Sequence, residues 1–437
     1  MRKNDSGVPA KSKISWGGAD GDDRGAAQLG IATRQPARGG GLSAKRLDHM
    51  RGVMAGYVER GEVPGLVSLI SRRGEVHVEA IGVKTAGHKD PISRNTIFRI
   101  SSMTKPITGV ATMILVEEGK LRLDDPVDPL LPELAERRVL RRIDGPIEET
   151  EPAHRPITVR DLLTFRMGFG YLFPMEQSPI HAAIAELGLG PGAPRPSADP
   201  APDEFMKRLG TLPLMCQPGD RWLYNTAAEV LGVLIARASG QPFDVFLRER
   251  LFEPLGLKDT AFDVPAAKLE RLATSYMPSP QTGALEVYDP AQGGDWSRPP
   301  AFPNGAGGLV STADDYLLFA QMLMDGGRSG KARILSRPSV ELMTSDHLTP
   351  DQHSTSGFGP DFFADHGWGF CLQIVTRRTQ LASLGGYGWG GGMGTLWDSD
   401  PGEALITILM TQTGQASSTA AGVFADFPTL AYAAIDD

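Results

Sequence analysis

The feature that most limits what this chain can become is the run from Ser102 to Glu118, SMTKPITGVATMILVEE, which is apolar on most faces and is closed by Gly119 and Lys120. A helix without a broad polar face has to be buried on nearly every side, so the fold must wrap around it. Pro106 fixes where that helix begins. Proline has no N–H to donate, which is harmless only in the first turn, where amides have no intrahelical acceptor. Ser102 is therefore expected near the helix N-terminus. Free amides and the positive end of the helix dipole favour negative charge there.

The chain is long enough to build that burial. It has 437 residues, 41% of them hydrophobic and 22% charged, which suits one large domain carrying a second. A formal charge of -8 argues against nucleic acid or an anionic membrane as the main partner, and leaves a small neutral substrate open. Cys216 and Cys371 are the only cysteines, so a disulfide framework is excluded. The histidines are scattered, with no H-E-x-x-H pair and no Cys/His cluster, and a metal has no support. The N-terminus lacks the apolar stretch of a signal peptide, and no later stretch is apolar enough to span a bilayer. The expectation is a cytoplasmic protein. Its oligomeric state is not legible.

Organisation follows from local patterns. Residues 1–40 are rich in Gly, Ala, Arg and Asp without apolar periodicity and read as a flexible extension. Ser43 is placed to cap a helix through Leu47, Met50, Met54 and Tyr57. VSLISRRGEVHVEAIG reads as a hairpin turning at Arg72-Arg73-Gly74. The middle of the chain has many prolines and few strand signals, with helices expected at 158–165, 203–210, 226–239 and 243–252. Gly190 to Pro202 reads as a loop or lid. Strand-like runs return as GGLVS, WGFCLQIV, GTLWDSD and ALITILMTQ before a closing helix. This divides the chain into an α/β domain from 41–125 and 300–437 and a mainly helical domain from 126–299.

The strongest chemical signal is Ser102-Met103-Thr104-Lys105. Residues i and i+3 share a helix face, so the hydroxyl and the amine can meet. A serine hydroxyl needs a base to become a nucleophile, and a buried lysine can act as one, because desolvation disfavours its charged form. Ser102 is the only serine with lysine three residues later. Taken alone, the spacing is met equally by a capping serine and a surface lysine.

The neighbouring text decides between these readings. FRISSMTKPITG resembles the nucleophile segment of class C β-lactamases, penicillin-binding proteins and family VIII carboxylesterases. ITVRDLLTFRMGFG, the block from Pro218 to Phe262 and GAGGLVSTADDYLLFAQMLMDGG are similar to further blocks of that superfamily in the same order. The resemblance spans roughly residues 42 to 430. It implies an α+β fold, with an antiparallel sheet flanked by helices plus a helical domain, and a serine hydrolase that needs no cofactor.

By resemblance, Tyr224 belongs to a Tyr-x-Asn motif whose phenol assists Lys105. This chain is one residue short there, which leaves the register of Asn225 and Thr226 open; packing of Tyr224 on Trp222 is the bland alternative. Trp389-Gly390-Gly391 resembles the third motif, with Gly392 and Ser102 supplying oxyanion amides and Asn225, Trp389, Gly390 and Gly391 binding substrate. Where penicillin-recognising relatives carry a lysine for the substrate carboxylate, this chain has Trp389. Losing such a charge-assisted contact costs about 1.5–3 kcal/mol and leaves neutral esters unaffected. The expectation is a carboxylesterase on short-chain esters with weak β-lactamase activity. The alternatives are a β-lactamase, a D-amino-acid peptidase or amidase, and a non-catalytic penicillin-binding-like protein.

Overall fold

Strand β1 (Gly65–Arg72) is buried along its whole length, because apolar layers cover both faces of the sheet it belongs to. Alternate residues of a strand point to opposite faces. Leu66 and Ile70 accordingly join one cluster with Met50, Met54, Val423 and Phe427, while Val67 and Leu69 join the larger cluster on the other side. The computed structural model describes residues 39–437 apart from 173–177, 191, 280, 360, 416, 418 and 419. The flexible extension expected over residues 1–40 therefore lies almost wholly outside the described residues. Gly40 is already held, its carbonyl accepting from Arg72 at 2.9 Å.

The other strands of that sheet are β2 (Glu75–Gly82), β3 (His366–Trp368), β4 (Gln373–Val375), β5 (Tyr387–Gly391), β6 (Thr395–Asp400) and β7 (Leu405–Thr411). They form one seven-stranded sheet in the order β3-β4-β5-β6-β7-β1-β2, antiparallel at every pairing. Its strands come from residues 65–82 and 366–411. Helices α1 (Ala44–Glu59) and α6 (Ala421–Ala433) cover one face. On the other side lie α2 (Thr104–Glu117), α3 (Val159–Leu163), α4 (Thr226–Ser239) and α5 (Ala313–Met324).

Four local expectations are corrected. Ser43 stands at the N-cap of α1, but its side chain makes no capping bond. The helix expected from Ser102 starts at Thr104, preceded by a tight 3₁₀ turn over Ser101–Met103. WGFCLQIV is two strands, β3 and β4, and the Gly369 amide bonds the Leu372 carbonyl at 2.8 Å across the turn between them. Tertiary contact imposes that turn: the Cys371 amide bonds the Leu163 carbonyl at 2.9 Å, and the Phe370 carbonyl lies against Gly109 of α2, where a Cβ would not fit. The helix expected at 243–252 widens to a π-turn over Arg248–Phe252, just ahead of Pro254, which has no amide to give. A further helix, Pro179–Glu186, was not anticipated.

Candidate active site

The α2 helix carries Lys105 into the interior because every residue from Thr104 to Leu115 is buried. Ahead of it, Ser101 adopts φ 45, a conformation that non-glycine residues seldom hold without surrounding support. That support is visible. The Tyr316 hydroxyl donates to the Met103 carbonyl at 2.9 Å, and the Thr395 hydroxyl of β6 donates to the Ile100 carbonyl at 3.1 Å. The result aims the Ser102 side chain back at its own helix, and the Lys105 amine donates to Ser102 Oγ at 2.9 Å.

Lys105 has no exposed surface. Its amine also donates to the Ala306 carbonyl at 2.6 Å. Burial pulls its pKa down from the usual lysine range to about 7, and the nearby Glu229 carboxyl opposes that shift. At neutral pH the amine thus has a substantial uncharged fraction, as a base must.

Tyr224 approaches from the other side. Its hydroxyl hydrogen-bonds the Ser102 side chain and accepts from Trp389 Nε1 at 2.8 Å. The Lys105 amine stands 4.5 Å from the Tyr224 ring centroid. Burial holds the phenol far above its ordinary pKa, so it stays neutral. Tyr224 does pack on Trp222, at 5.6 Å between centroids, and also on Phe165, Phe358 and Trp389. The bland packing reading and the contact with Ser102 are both present.

The backbone turns sharply after Tyr224, where the sequence left the register of Asn225 and Thr226 open. Asn225 takes φ 82 and ψ -64, and the Thr226 amide bonds the Tyr224 carbonyl at 3.2 Å. This is a γ-turn of the strained kind, and it stands immediately ahead of α4. Asn225 Nδ2 then donates to the Tyr171 hydroxyl at 3.0 Å.

Strand β5 brings the third motif alongside. A Cβ on Gly391 would lie 2.2 Å from the Ile100 carbonyl, so only glycine lets the strand pass this close to the nucleophile turn. Gly390 likewise lies against Gln415. Gly392 follows at the strand end, exposed, with its carbonyl accepting from the Gln415 amide at 3.0 Å.

Ser102 opens onto a cavity of about 320 Å³, walled in part by the loop that follows Gly190. A larger hollow near His366 and Tyr432 holds none of these groups. Sequence reasoning missed Glu229, Asn304 and Asp199, which line the Ser102 cavity. Asn304 Nδ2 donates to Glu229 Oε1 at 3.2 Å, and Asn304 Oδ1 accepts from the Ala306 amide at 2.8 Å. Glu229 lies in α4 immediately after the Tyr224 motif, the one signal that pointed to it. Among the described residues, no group of three or more His, Cys, Asp or Glu is placed to hold a metal ion.

A seven-stranded antiparallel sheet with a serine, a lysine and a tyrosine meeting beneath a helix N-terminus defines the class of β-lactamase-like folds. The family model described as Beta-lactamase matches residues 50–425, and the chain belongs to that family of serine hydrolases and acyltransferases. Protein Rv1367c of Mycobacterium tuberculosis is 38% identical over 381 residues, covering 85% of this chain and 92% of the relative. Esterase EstB of Burkholderia gladioli is 31% identical over 370 residues, covering 80% and 86%. Among solved structures, EstCE1, a hydrolase with promiscuous acyltransferase activity, matches with a TM-score of 0.71 and 25% identity, over 90% of this chain and 98% of its own. No single helix among the described residues is long and apolar enough to cross a membrane.

Proposed function

We propose that this protein is a serine hydrolase that forms an acyl-enzyme on Ser102 and acts as a carboxylesterase on short-chain esters. The observation that carries the reading is the 2.9 Å hydrogen bond between a serine hydroxyl and a fully buried lysine amine. Ser102 Oγ attacks the ester carbonyl while Lys105 takes its proton. The amides of Ser102 and Gly392 hold the oxyanion. As the tetrahedral intermediate collapses, the Tyr224 phenol protonates the departing alkoxide and regains a proton from Lys105. Water, deprotonated by the same pair, then attacks the acyl carbonyl, and the pair returns that proton to Ser102 Oγ as the acid departs. Asn225, Trp389, Gly390 and Gly391 line the approach of the substrate.

Trp389 supports an ester over a β-lactam. Its indole N–H is occupied by Tyr224, and the position offers no cation for a substrate carboxylate. The likeness to Esterase EstB points the same way. The test compares turnover of p-nitrophenyl butyrate with that of a chromogenic cephalosporin. The ester is expected to react faster, and Ser102→Ala is expected to lose at least about 10⁴-fold of that turnover in folded protein. A much faster cephalosporin reaction rejects the esterase assignment; ester turnover retained in Ser102→Ala rejects the nucleophile.

A further inference from the structure

We propose that Asn304 is a positioning residue for the Lys105 base, holding in place the Ala306 carbonyl that fixes the lysine amine against Ser102; this rests on the hydrolase reading above. The lysine stem is flexible, so its amine serves as a base only when something sets where its lone pair points. An uncharged amine has two N–H bonds and one lone pair. One N–H donates to the Ala306 carbonyl at 2.6 Å, and Ser102 Oγ lies 2.9 Å away. With that N–H anchored, the lone pair can turn to the serine proton. The anchor is a backbone carbonyl in a turn outside any helix or strand, so its place depends on what holds the turn.

Asn304 holds it from several sides. Its Oδ1 accepts from the Ala306 amide at 2.8 Å, and its backbone carbonyl accepts from the Gly308 amide at 3.1 Å. An asparagine that bonds the amide two residues on closes a turn by itself. Its Nδ2 donates to Glu229 Oε1 of α4 at 3.2 Å, which fixes the side chain from behind. The turn is also wedged between helices. The Thr108 hydroxyl of α2 donates to the Gly305 carbonyl at 2.7 Å, and a Cβ on Gly305 would lie 2.5 Å from the Ala228 carbonyl of α4. A buried amide suits this place because it accepts from a backbone N–H and donates to a carboxyl at once, without charge. Three other groups face the lysine amine. Glu229 favours the charged amine against the burial that disfavours it. Tyr224 and Cys371, the latter in the turn between β3 and β4, are kept neutral by burial.

The test uses the full chain and reads kcat and KM for p-nitrophenyl butyrate, the pH inflection of kcat/KM, and the rate at which a fluorophosphonate probe labels Ser102. Asn304→Ala is expected to lower kcat and the labelling rate about tenfold or more, with KM within about threefold, because both ends of the amide are engaged by the protein. Asn304→Ser, whose hydroxyl can still accept from the amide two residues on, should recover part of that loss. Asn304→Asp keeps the accepting oxygen and adds negative charge near the amine. The charged amine is favoured, so the inflection should move to higher pH by about half a unit or more. A change confined to KM in Asn304→Ala, or kcat and labelling within about twofold of wild type, overturns the proposal. If Asn304→Ala does not fold, Asn304→Asp decides: an inflection that stays in place overturns it. Wild-type protein that turns over ester and is labelled at Ser102, beside a fully active Asn304→Ala, leaves the hydrolase standing and removes only the positioning role. Wild-type protein that neither reacts nor labels fails the hydrolase reading and takes this one with it.

Discussion

Ser102 lies between two walls that are built alike in depth and unlike in chemistry. On one side Tyr224 is packed among Phe165, Trp222, Phe358 and Trp389. On the other, Glu229 is held by asparagine side chains, near the Lys105 amine and with Asp199 lining the same cavity. Burial acts on both, with opposite consequences for where protons sit. It drives the phenol so high that it remains protonated at any physiological pH. It brings the Glu229 carboxyl and the Lys105 amine to the same value, about 7. The aromatic wall therefore fixes a proton, while the polar wall leaves one free to move.

The comparison can be broken most severely by Tyr224→Phe. That change keeps the ring contacts and removes only the hydroxyl, and kcat for p-nitrophenyl butyrate is expected to fall about 10²–10³-fold. A fall of less than about threefold would mean that the aromatic wall only fills space.

The pH profile sharpens the contrast. The base form of Lys105 is the uncharged one, so kcat/KM should rise about tenfold per unit as pH approaches 7 and level above it. The negative charge of Glu229 favours protonated Lys105. Glu229→Gln removes that charge, so the inflection should move to lower pH. Tyr224→Phe should lower the plateau without moving it. A shift to higher pH in Glu229→Gln would contradict the placement of that carboxyl beside the amine.

The smallest expected effect is that of Trp389→Phe. It deletes the 2.8 Å bond to the Tyr224 hydroxyl and keeps an aromatic ring. A neutral hydrogen bond of this kind is worth about 0.5–1.5 kcal/mol, so kcat should drop roughly three- to tenfold with the pH inflection unchanged.

Legibility in the sequence followed distance along the chain. Ser102 and Lys105 are one helical turn apart, so their meeting needs only local geometry and was readable from S-x-x-K followed directly by Pro106. The hairpin of β1 and β2 was readable for the same reason, since its turn residues and its apolar runs adjoin. Tyr224 was found through neighbouring text, but its register was not, because counting residues cannot reveal a γ-turn at Asn225. The turn within WGFCLQIV was hidden because contacts with Leu163 and Gly109, far away in sequence, impose it. Asp199, Glu229 and Asn304 gave almost no signal, since an acid or amide in a loop or helix usually faces water.

What the amino-acid sequence determined by itself was an apolar helix that had to be buried, a serine at its start, a lysine one turn on, and strands at both ends of the chain to cover them. Periodicity and turn chemistry act over a few residues, and these features need nothing longer. Only the tertiary structure decided how deep the lysine sits, which hydroxyl shares Ser102 and which carboxyls face the cavity. Those outcomes depend on how much water is excluded, and exclusion is set by segments that meet only when the whole chain has folded.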